Sequence, residues 1–383
     1  MSTFNGFEFE PVNYDPKKHK WDDISKQPLK FQSIKFDFDQ VKLEVLDQLL
    51  LPTQTKYIPV QNVQDAFDVI RQMNVRGAPL IATVALLGLC VDLEHQYKSD
   101  KDGELSDYVK KCCDHLHASR PTAINLTNEI LKLKEFVCKL NKDDGIDANK
   151  RQIYQHVYNL YTAEREENDR LLRNATICVE HNVASEDKDG LLNVIHICNT
   201  GALATCSLGT ALGVIRCLHQ RGRLGTAFCL ETRPYNQGSR LTAYELLTEG
   251  IPHCLITDSM AASVMRKHKI HAILVGADQV ALNGDTANKI GTFSLSILAQ
   301  YHQIPFYVVT PISSINPRIN SGNEIKIEER NGDELRKFNN AYIAPPECTV
   351  WNPAFDVTPA KLITAVLTDN GNVKPDDVKT LFQ

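Results

Sequence analysis

The sequence predicts an α/β protein: a mainly helical N-terminal domain with a small β element, followed by a Rossmann-like parallel-sheet domain. Three observations carry that expectation. The chain has 383 residues, too many for one ordinary domain and suited to two, and its 43% hydrophobic and 23% charged residues are a normal globular balance. Before about residue 185 the apolar residues recur at helical spacing over long stretches. After it, five short apolar runs alternate with helical patterns at near-regular intervals, as in a parallel sheet covered on both faces. The expected boundaries are an N-terminal extension over 1–30, a helical domain over 31–184 and a Rossmann-like domain over 185–383.

Taken in order, short β-like runs at Gln32–Asp37 and Tyr57–Val60 precede helices over 62–74, 78–97, 102–119, 122–140 and 147–182, the last long and rich in charge. Beyond SEDKDG, strands are expected at 191–198, 225–231, 253–257, 271–276 and 305–310, with helices at 203–219, 241–249, 259–268 and 288–302 between them. In such a sheet, ligands gather outside the carboxyl ends of the strands, so the strand-to-helix loops are where chemistry is expected.

Composition narrows the function classes. Lys and Arg number 42 against 47 Asp and Glu, a net charge of -5 without a basic block, which gives a phosphate-backbone binder no support. The eleven cysteines fall singly apart from Cys112 and Cys113 and include no C-x-x-C. They read as reduced thiols, so a cytosolic protein, present also in the nucleus, is expected. The first twenty residues have no apolar core of the kind a secretory signal needs. The longest stretch without charged residues, Leu191 to Ile215, is interrupted by Asn193, His196, Asn199, Thr200 and Ser207, and no membrane span is expected there.

Four loops stand out. The first, His196 to Thr205, leaves a strand with Cys198 at its end; Gly201 and the following helix start offer an anion site. The second, Glu231 to Arg240, holds Arg233, Gln237, Gly238 and Arg240 just before a helix. The third, Thr257-Asp258-Ser259, reads as a helix N-cap. The fourth runs from Val275 to Thr292: Asp278 follows directly on an apolar strand, where a carboxylate needs a partner or a purpose, and Asn288 and Lys289 fall at the expected helix start. In the helical half, Arg76 and Gly77 before Pro79, and Arg120 before Pro121, can each present a guanidinium and free amides to an anion.

RGAP, RPTAxN, CNTGALAT, ETRPxxQGxRLTAxEL, TDSMAA, VGAD, NGDxANKIGT and NPAFDVTP, in this order from about Leu46 to Pro359, closely resemble the methylthioribose-1-phosphate isomerase family. Its superfamily also holds ribose-1,5-bisphosphate isomerases and regulatory subunits of the exchange factor for translation initiation factor two. The resemblance implies a homodimer of helical and Rossmann-like domains acting on a small sugar phosphate. It also implies catalytic Cys198 and Asp278, and phosphate and sugar contacts from Arg76, Gly77, Ala78, Arg120, Gln237, Asn288 and Lys289. Ile197 and Gln279 depart from the family, which usually has His and Arg at those places. The implied reaction interconverts 5-methylthio-α-D-ribose 1-phosphate and 5-methylthio-D-ribulose 1-phosphate; the ordinary pKa ranges of a thiol and a carboxylate cast Cys198 as acid and Asp278 as base, although the sequence leaves open which of the two plays which part. The sequence leaves open whether hydrogen moves from C2 to C1 as hydride or through a phosphoenolate. No cofactor is expected: there is no metal-ligand cluster, and no G-x-G-x-x-G follows a predicted strand. The alternatives are ribose-1,5-bisphosphate isomerase and a non-catalytic regulatory subunit.

Overall fold

A computed structural model describes residues 9–21, 28–98, 102–183, 190–338 and 341–382. Its contacts divide the chain into two compact units, one of residues 29–166 with 202–207, the other of residues 1–28, 167–201 and 208–383.

The first unit opens on an antiparallel sheet of β1 (Ile34–Asp37), β2 (Lys42–Leu46) and β3 (Tyr57–Val60). The middle strand was not expected from the sequence, because KLEVL places charges on its exposed face and reads as polar. Helices α1 (Val63–Arg71), α2 (Ala78–His95), α3 (Asp102–Ser119), α4 (Ile124–Val137) and the start of α5 (Ile146–Val183) follow, within a few residues of the expected ranges. The Asn62 side chain caps α1, accepting the Asp65 N–H at 2.8 Å. Helix α2 has no polar face, since residues 80–93 are all buried. It is long and apolar enough to cross a membrane, but here its apolar surface is covered by the unit's own core.

The second unit is built on a seven-stranded sheet, in the order β15-β14-β10-β7-β4-β5-β6. All five expected strands form: β4 (Leu192–His196), β5 (Leu224–Leu230), β6 (His253–Ile256), β7 (Ala272–Val275) and, after the short β8 (Gln279–Val280) and β9 (Thr286–Lys289), β10 (Phe306–Val309). Helices α6 (Ala211–Gln220), α7 (Ala243–Glu249), α8 (Ala261–Lys267) and α9 (Thr292–Tyr301) alternate with them. After β10 come α10 (Asp333–Arg336) and the hairpin β11 (Lys337–Phe338) and β12 (Ala341–Tyr342). Strand β13 (Phe355–Thr358) pairs with β9, and β14 (Ala365–Thr368) and β15 (Gly371–Val373) complete the main sheet. Neighbours from β14 through β6 are parallel, and only β15 runs antiparallel.

Two helix starts differ from expectation. Helix α6 begins at Ala211 rather than Leu203, because residues 202–207 leave the sheet and pack in the first unit. Helix α9 begins at Thr292, and Asn288 and Lys289 lie on β9, paired with Asp356 and Phe355 of β13.

The division of the chain also differs from the expected boundaries. It falls inside α5, whose later turns pack on the sheet unit: the Asn168 amide donates to Gly209 O at 2.8 Å, and Arg221 pairs with Glu180 at 2.8 Å. Residues 9–21 of the expected extension are part of that unit as well. Asn182 exchanges hydrogen bonds with Glu10, the Asn372 amide donates to Val12 O at 2.7 Å, and Phe9 packs against Tyr307. Helical periodicity runs unbroken through α5 and carries no mark of which unit each turn will touch.

Candidate active site

Strand order decides where the chemistry sits. From β4 the chain winds outward through β5 to β6, then returns to the other side of β4 with β7 and continues to β10. The reversal lies between β4 and β7, and this switch point is where a doubly wound sheet opens a crevice beyond its carboxyl ends. His196 of β4 is in register with Leu274 of β7, so Cys198 and Asp278 both leave the sheet just past this point. The two loops touch: a Cβ on Gly276 would come within 2.7 Å of Thr200 Cγ2, so only glycine lets the turn before Asp278 lie against the turn after Cys198.

Cys198 is 5% exposed and takes a left-handed backbone, φ 70, which is rare outside glycine and clusters at functional sites. Asp278 is half-buried, with its N–H donated to Ala287 O at 2.9 Å. His196, two residues before Cys198, is not a candidate base. Its Nδ1 bonds the Leu274 carbonyl at 2.8 Å, and burial pushes its pKa down to about 4. Seven other thiols are inert by burial, which raises Cys112 to about 11, Cys113, Cys178 and Cys217 to about 12, Cys90 and Cys229 higher still, and Cys206 well above the ordinary range.

The second loop places Gln237 3% exposed, with its Oε1 buried and without a donor among the described residues. An orphaned buried carbonyl oxygen is costly unless something donates to it, which suits a sugar hydroxyl. The two arginines are already engaged. Arg233 donates to Pro234 O at 2.8 Å and Leu335 O at 3.1 Å, and Arg240 lies over the Tyr235 ring at 5.3 Å.

On β9, the Asn288 amide donates to Thr292 Oγ1 at 3.0 Å, and the Lys289 ammonium sits 4.6 Å over the Phe355 ring. Asp356 opposite accepts the Gly291 and Phe293 N–H groups at the start of α9, at 2.8 and 3.1 Å. Burial raises its pKa to about 6, although those two amides and the Lys289 charge pull the other way. Asp285 holds structure: its carboxylate accepts the Gly322 and Ala360 N–H groups, each at 2.9 Å.

Within the helical unit, Gly77 precedes α2 at φ 101, and a Cβ there would lie 2.3 Å from Ala204 O, so both its conformation and its space require glycine. Of the expected free amides at this helix start, that of Leu80 is taken, at 3.3 Å, by Ala204 O. Ala78 is the first helical residue and half-buried, as is Arg76. The Arg120 guanidinium reaches Met73 Sδ at 3.3 Å, which brings it to the loop carrying Arg76.

Three site-building residues escaped the sequence reading. Glu245, fully buried on α7, accepts the Asn199 amide at 2.8 Å and faces the buried Arg216 guanidinium at 3.6 Å. A charge on the covered face of an amphipathic helix was the available signal. Asp258 is not the N-cap it resembles, since its carboxylate accepts the N–H groups of Thr232 and Arg233 at 2.8 and 2.7 Å. Thr232 lies inside the ETRP motif, but nothing in the sequence sets its hydroxyl apart from its neighbours.

Residues 74–375 match the initiation factor 2 subunit family. The methylthioribose-1-phosphate isomerase of Caenorhabditis briggsae is 50% identical over 92% of this chain and 93% of its own length. That of Trichoplax adhaerens is 43% identical over 92% and 97%. Among solved structures, the 5-methylthioribose 1-phosphate isomerase of Pyrococcus horikoshii OT3 superposes with a TM-score of 0.83 at 37% identity, covering 96% of this chain and 98% of that one. A structure described as the delta subunit of translation initiation factor eIF-2B from A. fulgidus gives 0.78 at 34%, covering 92% and 100%. By these identities and coverages the chain belongs to the initiation factor 2 subunit family and, within it, to the methylthioribose-1-phosphate isomerases.

Proposed function

We propose that this chain interconverts 5-methylthio-α-D-ribose 1-phosphate and 5-methylthio-D-ribulose 1-phosphate, a step of methionine salvage. The observation that carries the reading is the pairing at the switch point, where Cys198 and Asp278 leave neighbouring parallel strands in loops that touch. The substrate's anomeric carbon bears phosphate, so its ring must open with that phosphate retained. An ordinary thiol is mostly protonated at neutral pH and an ordinary carboxylate ionised. Cys198 gives its proton to the ring oxygen as the C1–O bond breaks, while Asp278 takes the proton of the C2 hydroxyl. Hydrogen then passes from C2 to C1 with its electron pair, leaving a ketone at C2 and phosphate on C1. The proton returns from Asp278 to Cys198 through solvent before the next turnover.

Apolar walls around the site would favour hydride over a phosphoenolate, because they stabilise separated charge poorly. Contact roles for Arg76, Gly77, Ala78, Arg120, Gln237, Asn288 and Lys289 rest on the motif resemblance, and the orphaned Gln237 Oε1 supports its place on a sugar hydroxyl.

Substrate choice follows from C5 of the ribose. A thioether gains about 25 cal/mol per Å² of apolar surface leaving water. A second phosphate would need further cations, or cost several kcal/mol unpaired. Arg233 is committed to two backbone carbonyls, Arg240 to an aromatic face, and Gln279 is uncharged. Purified protein offered both sugar phosphates should turn over the methylthio compound with strong preference. Equal or faster use of ribose 1,5-bisphosphate would favour the second enzyme reading, and inertness toward both would favour the regulatory one.

A homodimer in the cytosol and nucleus completes the proposal. Light scattering should give twice the 43.0 kDa chain mass, and a single-chain mass would contradict it. A fluorescent fusion found in a secretory compartment would contradict the location.

A further inference from the structure

The loops leaving β4, β5 and β6, three neighbours in the sheet, are tied to one another in sequence across its carboxyl edge. Beyond β6, the Asp258 carboxylate uses one oxygen for the Thr232 N–H at 2.8 Å and the other for the Arg233 N–H at 2.7 Å. Beyond β5, the Thr232 hydroxyl donates to Leu230 O at 3.1 Å. A hydroxyl has one proton to give, so its lone pairs are left to accept, and one receives the Cys198 N–H at 2.9 Å. On its other side, Cys198 O accepts the Thr242 hydroxyl at 2.6 Å.

The backbone explains why such bracing is present. Cys198 at φ 70 and Thr232 at φ 65 are both left-handed, and for a β-branched residue this is an outlier that persists only where the surroundings over-determine it. Thr232 is fully buried. Asp258 supplies a bidentate charged acceptor that holds Thr232 in this conformation, and the hydroxyl so placed holds Cys198.

We propose that Asp258 and Thr232 are positioning residues for Cys198: Asp258 acts through Thr232, and Thr232 through the Cys198 main chain, to aim the thiol at the ring oxygen. This rests on the reading of Cys198 as the acid. Neither residue touches the reacting atoms, so the signature is loss of turnover without loss of substrate binding.

The test is steady-state kinetics of the full chain with methylthioribose 1-phosphate, with folding followed by circular dichroism. Thr232→Val keeps shape and branching but removes the hydroxyl. It should lower kcat by about 10- to 100-fold, the cost of a small misplacement of a reacting group, with KM within about twofold. Thr232→Ser should stay within about threefold of the parent, because it restores the acceptor. Asp258→Asn, which keeps shape but offers one acceptor for two N–H groups, should lower kcat in the same direction and decides the matter should the valine variant not fold. In a Cys198→Ala background neither change should cost anything further, since groups acting as a unit are not additive. Undiminished kcat in folded Thr232→Val, equal losses for valine and serine, or losses that multiply with Cys198→Ala would each overturn the relay. Full activity of Cys198→Ala would instead remove the acid reading on which it rests.

Discussion

Replacing Cys198 with alanine is expected to lower turnover by about 10²–10⁴ while the fold survives, the usual contribution of one positioned acid-base group. The side chain is small, and its removal leaves in place the two hydrogen bonds that hold residue 198, because both are made by the main chain. The control is Cys206→Ala. Cys206 follows eight residues later, but it belongs to the helical unit, packs in its apolar core, and burial raises its thiol well above the ordinary range. That variant should retain turnover within about threefold and lose some stability through the missing sulfur. Activity assays on folded, purified variants check both, and equal loss of turnover from the two would show that packing explains Cys198.

Asp278→Asn should abolish turnover to the upper end of the same range, about 10⁴, with substrate binding retained. Asparagine is nearly isosteric and keeps an acceptor oxygen, but it cannot take a proton. The backbone at 278 is anchored by its own N–H on Ala287 O, so the substitution leaves the loop in place. Calorimetric binding beside turnover separates the two effects. Were Asp278→Asn to stay active, the base would lie elsewhere. Asp285, the nearest alternative by sequence, is a poor candidate, because both its oxygens already hold backbone amides of distant segments.

Strands β4, β5, β7 and β10 were readable in the sequence because a strand covered on both faces is a short apolar run; β6, at the sheet edge with Cys254 and Leu255 exposed, was readable only as the short run HCLI. The same reasoning brought Cys198 and Asp278 forward, since a reactive group directly beyond such a strand has few packing reasons to be there. Strands β8, β9 and β13 were not readable. They are two to four residues long and carry Asn288, Lys289 and Asp356, so their pairing exists only because the chain from β13 returns to meet β9.

By itself, then, the sequence determined the α/β architecture and the order of its main helices and five central strands, and its short motifs put Cys198 and Asp278 forward for the chemistry. Only the tertiary structure decided that β4 and β7 are neighbours, that α5 divides between the units, that residues 9–21 belong with the sheet, and that Asp258 and Thr232 stand behind Cys198. The reason is physical. Periodicity reports which face of a local element is buried, whereas these arrangements are contacts between residues tens to hundreds of positions apart, most of them with a backbone amide or carbonyl, which every residue type carries alike, on at least one side.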